Sequence, residues 1–180
     1  MTRMHEYVNR AGRFLCLMTA VIGLSACSRT ISFEEEVEIS PGEVIVVKRF
    51  EKQGRACEAF SCGWGFENST VVIPIKGIKD WKEELWPMLL QKNKDGTFTL
   101  IAQTVFTGCT RYRQFIFRNE KWEENPIEEK YFGMEGNLLI PGEDEFESRV
   151  KKISLAEKKK KNTRFGPPDF VKKILRNPPC

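Results

Sequence analysis

The chain has 180 residues, 41% of them hydrophobic and 30% charged, which fits one soluble globular domain and excludes a multi-span membrane protein or a disordered polymer. Its net charge of +4 divides unevenly: residues 1–26 carry +2, residues 27–148 carry −7, and residues 149–180, with eleven Lys/Arg against two acids, carry +9. The single histidine, His5, falls within the first 26 residues, so the rest lacks the commonest general base and metal ligand, and a Ser-His-Asp or Cys-His site is excluded.

Arg3, Arg10 and Arg13 form a positive n-region, and residues 14–26 (FLCLMTAVIGLSA) form a 13-residue apolar run. A spanning helix needs about 20 apolar residues, so the run reads as an export signal. It ends in Leu24-Ser25-Ala26-Cys27. These four residues resemble the lipobox of bacterial lipoprotein precursors: an aliphatic residue, two small residues, then the cysteine to be modified. The resemblance implies diacylglyceryl transfer to the Cys27 thiol, cleavage before Cys27 and acylation of the new amino group with a chain such as palmitate. A plain secretory cut after Ala26 fits less well, because Leu24 occupies the outer small-residue position. Ser28 stands where an aspartate commonly retains such proteins at the inner membrane, so the resemblance leans toward the outer membrane, facing the periplasm. The expected organisation is a signal peptide over 1–26, a lipidated tether over 27–30 and a single β-rich periplasmic domain over 31–180.

Residues 31–39 (ISFEEEVEI) alternate, placing Ile31, Phe33, Val37 and Ile39 on one face, and Pro41-Gly42 marks a turn. Residues 43–50 (EVIVVKRF) are β-branched, so the two segments suggest an antiparallel pair. Residues 71–75 (VVIPI) read as a third strand that Pro74 pushes toward an edge. Residues 86–90 and 97–102 flank Asp95-Gly96, a hairpin signal because glycine accepts the positive φ that such turns require. Residues 111–118 (RYRQFIFR) alternate again, with Tyr112 and Phe115 or Phe117 inward.

Ser154 and Glu157 fit a capping box at the start of a short lysine-rich helix. Pro167-Pro168-Asp169 precedes 170–175, read as a second short helix on which Phe170, Val171, Ile174 and Leu175 share a face. The expected fold is mainly β (β-rich α+β): a small antiparallel sandwich or barrel with one or two short C-terminal helices. In its acidic first strand, the strands around Leu89-Leu90 and Leu100-Ile101, the tract Ser154-Leu155-Ala156-Glu157-Lys158 and the terminal cysteine, the chain is similar to uncharacterised proteobacterial lipoproteins, a resemblance that implies no activity.

Cys57, Cys62, Cys109 and Cys180 remain once Cys16 leaves with the leader and Cys27 takes lipid. Four cysteines in an oxidising compartment suggest two disulfides with three possible pairings. Cys57–Cys62 with Cys109–Cys180 is preferred, and Cys62–Cys109 stays open. The spacing lacks the two close pairs of a four-thiolate zinc site, so no metal and no cofactor is expected. Lys158 to Lys161 read as a solvated helix face, partly neutralised by the acidic half, rather than as an envelope-binding patch. Glu34-Glu35-Glu36 and Glu143-Asp144-Glu145 fit no calcium loop and read as surface charge. Among Trp64, Trp81, Trp86 and Trp122, Trp64 between two glycines is the candidate binding residue.

These features point to a non-catalytic envelope domain that binds or scaffolds another component. Its partners are the membrane, through the lipid, and an envelope protein, but no nucleic acid. An inhibitor or immunity lipoprotein against a periplasmic hydrolase or toxin is the alternative. An envelope hydrolase using two carboxylates is a third reading and needs a cleft holding both.

Overall fold

The computed structural model describes residues 28–58, 61–104, 110–139, 152–161 and 173–176. The alternation at the start of the chain becomes strand β1 (Ser28–Ser40), which buries Phe33, Glu35, Val37 and Ile39 and exposes Ser32, Glu34 and Glu38. Gly42, at φ 79°, makes the turn into β2 (Glu43–Glu58). The two strands pair antiparallel from Ser40↔Glu43 back to Ser28↔Gly54. Residues 28–30, expected as tether, are therefore strand. β2 runs far enough to pair with their amide and carbonyl groups, which an isolated tether would leave to water.

β3 (Ser61–Val72) pairs antiparallel with β2 from Lys48↔Val72 to Glu58↔Ser61. The expected third strand, 71–75, is only the tail of this longer one, and Pro74 lies past its end. The sequence CGWGFENST lacks the β-branched run that announces a strand; the free edge of β2 supplies the ladder instead. β4 (Trp81–Glu83) closes one edge against β3, and β9 (Lys152–Ile153) pairs parallel with β1 on the other. The order of this first sheet is β4-β3-β2-β1-β9.

The second sheet follows chain order: β5 (Leu85–Lys92), β6 (Phe98–Thr104), β7 (Tyr112–Arg118) and β8 (Lys121–Asn125). Pro87 borders a register shift on edge strand β5, where a missing N–H is tolerated. The expected hairpin forms: the Asn93 N–H donates to the Thr97 carbonyl at 2.8 Å, and Gly96 takes φ 84°. β7 and β8 are joined by Asn119 and Glu120 alone, both at positive φ (50° and 61°), the pattern of a type I′ turn.

Facing sides of the sheets enclose the core: Val37, Ile39, Val47, Val71 and Trp81 from the first, Leu90, Phe98, Leu100, Phe115 and Phe117 from the second. Trp81 meets Phe115 edge-on at 5.5 Å. The outer face of the second sheet is covered by the chain after β8, where Leu89 and Ile101 pack under Tyr131 and Ile174. The Asn137 amide ties the layers by donating to the carbonyls of Glu38 (2.8 Å) and Leu90 (2.7 Å). The result is a β-rich sandwich, not a closed barrel.

One α-helix is present among the described residues, α1 (Leu155–Lys161). Its capping box is made as expected: Glu157 accepts from the Ser154 N–H at 2.8 Å, and the Glu157 N–H reaches the Ser154 hydroxyl at 3.3 Å. The second expected helix falls mostly outside the described residues, and 173–176 are not helical. Lys173 instead bridges Glu135 in extended pairing, and Ile174 exchanges backbone hydrogen bonds with Gly133 and Met134. A free edge of backbone competes here with the local helical pattern and wins.

Candidate functional site: the inner face of the long strands

Strands β1 to β3 present one continuous inner face whose character changes along its length. Where the second sheet covers it, the residues are Val37, Ile39, Val47 and Val71, all buried. Further along, the same alternation brings Glu35, Arg49, Glu51 and Ser69 to the interior, each at 0% exposure. The Arg49 guanidinium sits between the two carboxylates, with Nη1 donating to Glu35 at 2.7 Å and Nη2 to Glu51 at 2.5 Å. The Ser69 hydroxyl donates to Glu51 at 2.7 Å. Phe33 lies 5.5 Å from the guanidinium, ring face toward it.

Lys158 of α1 completes the cluster. Its Nζ reaches Glu35 Oε2 at 3.0 Å and the Asn137 carbonyl at 2.5 Å, and the Leu139 N–H donates to the same carboxylate oxygen at 2.8 Å. Phe33, Leu139 and Ile153 form an apolar rim beside it. Two acids and two bases are thus buried together and balance. Burial pushes the Glu51 carboxyl above its usual range, against the pull of Arg49, and pushes the Lys158 ammonium below its own, against the pull of Glu35. Arg49 Nε and Glu51 Oε2 have no partner among the described residues. Sealed from solvent, the cluster offers no reacting atom to a substrate; its geometry fastens α1 and residues 137–139 to the long strands.

Two sequence expectations are corrected here. Glu35 is not surface charge, because the alternation that buries Phe33 and Val37 carries it inward. Lys158 is not on a solvated face, because the helix turns that position onto the sheet. The signal for Glu35 was the period-2 pattern itself; Lys158 carried no local signal that separates it from the following lysines.

Beyond the cluster the face becomes open. Arg29 Nε donates to the Gln53 side chain at 2.7 Å, and the Arg29 guanidinium lies 4.5 Å above the Trp64 ring. Trp64 is 46% exposed and stands opposite Arg55 in the ladder. Phe66 packs edge-on against Trp86 at 5.7 Å. Cys62 is disulfide-bonded, and Cys57 is opposite it in the ladder. Cys27, Cys109 and Cys180 lie outside the described residues. The other tryptophans take structural places: Trp81 is in the core, and Trp122 packs on Phe117.

Two surface depressions among the described residues bear charged groups. One, of about 600 Å³, is lined by Asn68, Lys82, Glu83, Glu84, Leu85, Thr104 and Arg113; burial and the neighbouring Glu124 raise the Glu83 carboxyl. The other, of about 910 Å³, lies between the Pro41 turn and the Asp95-Gly96 turn, and its charges are largely spent in the pairs Lys92–Glu43 (2.8 Å) and Lys130–Glu128 (2.7 Å). Among the described residues no group of His, Cys, Asp or Glu is arranged to hold a metal ion, and no helix is long and apolar enough to cross a membrane. No family model, curated protein or solved structure matches this chain.

Proposed function

We propose that the chain is an exported lipoprotein, anchored to the bacterial envelope by acyl chains on Cys27, whose sandwich binds or scaffolds another envelope component without catalysing a reaction. The observation that carries this reading is Leu24-Ser25-Ala26-Cys27 at the end of the apolar run. Two or more acyl chains make anchoring stable, at about 0.8 kcal/mol per buried methylene. Among the described residues the most concentrated charge is consumed in fastening α1. The outer membrane, facing the periplasm, is the proposed location. Fractionation tests the reading: wild type stays with the membranes after a high-salt wash, and Cys27→Ala moves to the soluble fraction. A Cys27→Ala protein that remains on membranes overturns it.

A hydrolase reading keeps one foothold, the Glu83–Glu84 depression with its raised Glu83 carboxyl. It predicts that Glu83→Gln abolishes hydrolysis of an envelope polysaccharide while leaving the fold intact. Undetectable hydrolysis by the wild-type protein removes it.

A further inference from the structure

The first described strand begins at Ser28, the residue bonded directly to the proposed lipid-bearing cysteine. We infer that the end of the first sheet formed by Ser28–Arg29, Gly54–Arg55 and Gly63–Trp64–Gly65 is a membrane-contact surface that seats Trp64 and its flanking arginines among anionic lipid headgroups. The inference rests on acylation of Cys27, as proposed above.

Ser28 pairs with Gly54, and Gly54 with Gly65, so three strands come level at this point. Consecutive Cα atoms are about 3.8 Å apart and neighbouring strands about 4.8 Å apart. The next rung outward holds Arg55 and Trp64, roughly 5 and 10 Å across from the strand that Cys27 leads into. A flexible tether would let the domain float clear of the bilayer. Strand pairing up to Ser28 removes that slack, and the sulfur that enters the membrane surface brings this end of the sheet with it.

The residues found there suit such a surface. Trp64 is exposed although large, and an indole with one apolar and one polar side is favoured at the headgroup level. Arg29 lies against its ring at 4.5 Å, and Arg55 is exposed; each cation near an anionic surface is attracted. In the sequence of residues 28–31, 54–58 and 61–66, Glu58 is the only acid, and the Glu67 carboxylate that lies over Gly54 is paired with Lys52 at 2.7 Å. At the opposite end of β1 and β2, Glu43 is paired with Lys92 at 2.8 Å, and Lys94, Asp95, Arg118, Glu128 and Lys130 mix both signs of charge around the turns. The end of the long strands beside the proposed anchor is therefore the one that carries Trp64, Arg29 and Arg55.

The test uses the full chain, matured and purified with its lipid, in vesicles of phosphatidylethanolamine and phosphatidylglycerol that carry bromine near the top of the acyl chains. Bromine quenches an indole only within contact range. The expected result is partial quenching of tryptophan emission in wild type, loss of that quenching in Trp64→Phe, and weaker quenching in Arg55→Gln or at high salt. Quenching that is absent in wild type, or unchanged in Trp64→Phe, overturns the inference. Intact mass of the same sample keeps the two levels apart: a protein without acyl groups overturns the anchor reading, whereas an acylated protein with unquenched Trp64 overturns the contact surface alone.

Discussion

The two halves of the inner face of β1 to β3 follow one backbone rule and hold opposite chemistry. In the half under the second sheet, Val37, Val47 and Val71 are buried against Leu90, Leu100 and Phe115, and any well-fitting apolar residues would serve. In the half under α1, Glu35, Arg49, Glu51 and Lys158 are buried at 0–4% exposure, and each is held by named partners. An apolar half gains stability from area; a charged half gains little net stability but tolerates no loss of a single member. The charged half thus fixes which segment lies on the long strands, and the apolar half supplies the driving force.

The largest effect is expected from Arg49→Met, which leaves the buried Glu51 without a cation and Glu35 with Lys158 alone, and should lower stability by about 3–5 kcal/mol in urea unfolding. Replacing Glu35, Arg49, Glu51 and Lys158 together by apolar residues of similar size should recover most of that loss. An Arg49→Met protein as stable as wild type would break the contrast between the halves. Leu100→Ala, at a fully buried position, should lose about 3 kcal/mol in the same assay through lost transfer energy and a residual cavity, and no second substitution in the charged half should restore it.

Ser154→Ala removes the hydroxyl that accepts the Glu157 N–H and should cost about 1 kcal/mol. It should also raise amide exchange across 155–161 while leaving the sandwich protected. The smallest effect is a slope. The Glu51 carboxyl is raised by burial, so its contribution is fully present below the ordinary carboxylate value near 4.5 and is lost as pH rises through the folded value. Glu51→Gln should flatten that part of the stability profile and leave unchanged the acid limb below it, which belongs to lowered carboxyls such as Glu43 and Glu128.

Much of the apolar half was legible in the sequence because strand alternation and hydrophobicity coincide at Val37, Ile39, Leu90 and Leu100. The Asp95-Gly96 turn and the Ser154 capping box were legible for a related reason: local chemistry dictates both. The charged half was not, since a run of three glutamates reads as surface until the pairing partner of the middle one is known. β3 was legible only at its end, because its glycines and polar residues are held by the neighbouring strand rather than by their own propensity. The open end with Trp64 was marked by its flanking glycines, yet its nearness to Ser28 follows from the ladder alone.

The most direct test of the anchored-lipoprotein account is the intact mass of the protein recovered from the cell envelope, with Cys27→Ala alongside. The account predicts a chain that begins at Cys27, carries a diacylglyceryl group and an acyl chain, and yields no such species from the variant. A chain that keeps Met1 and bears no lipid would contradict it.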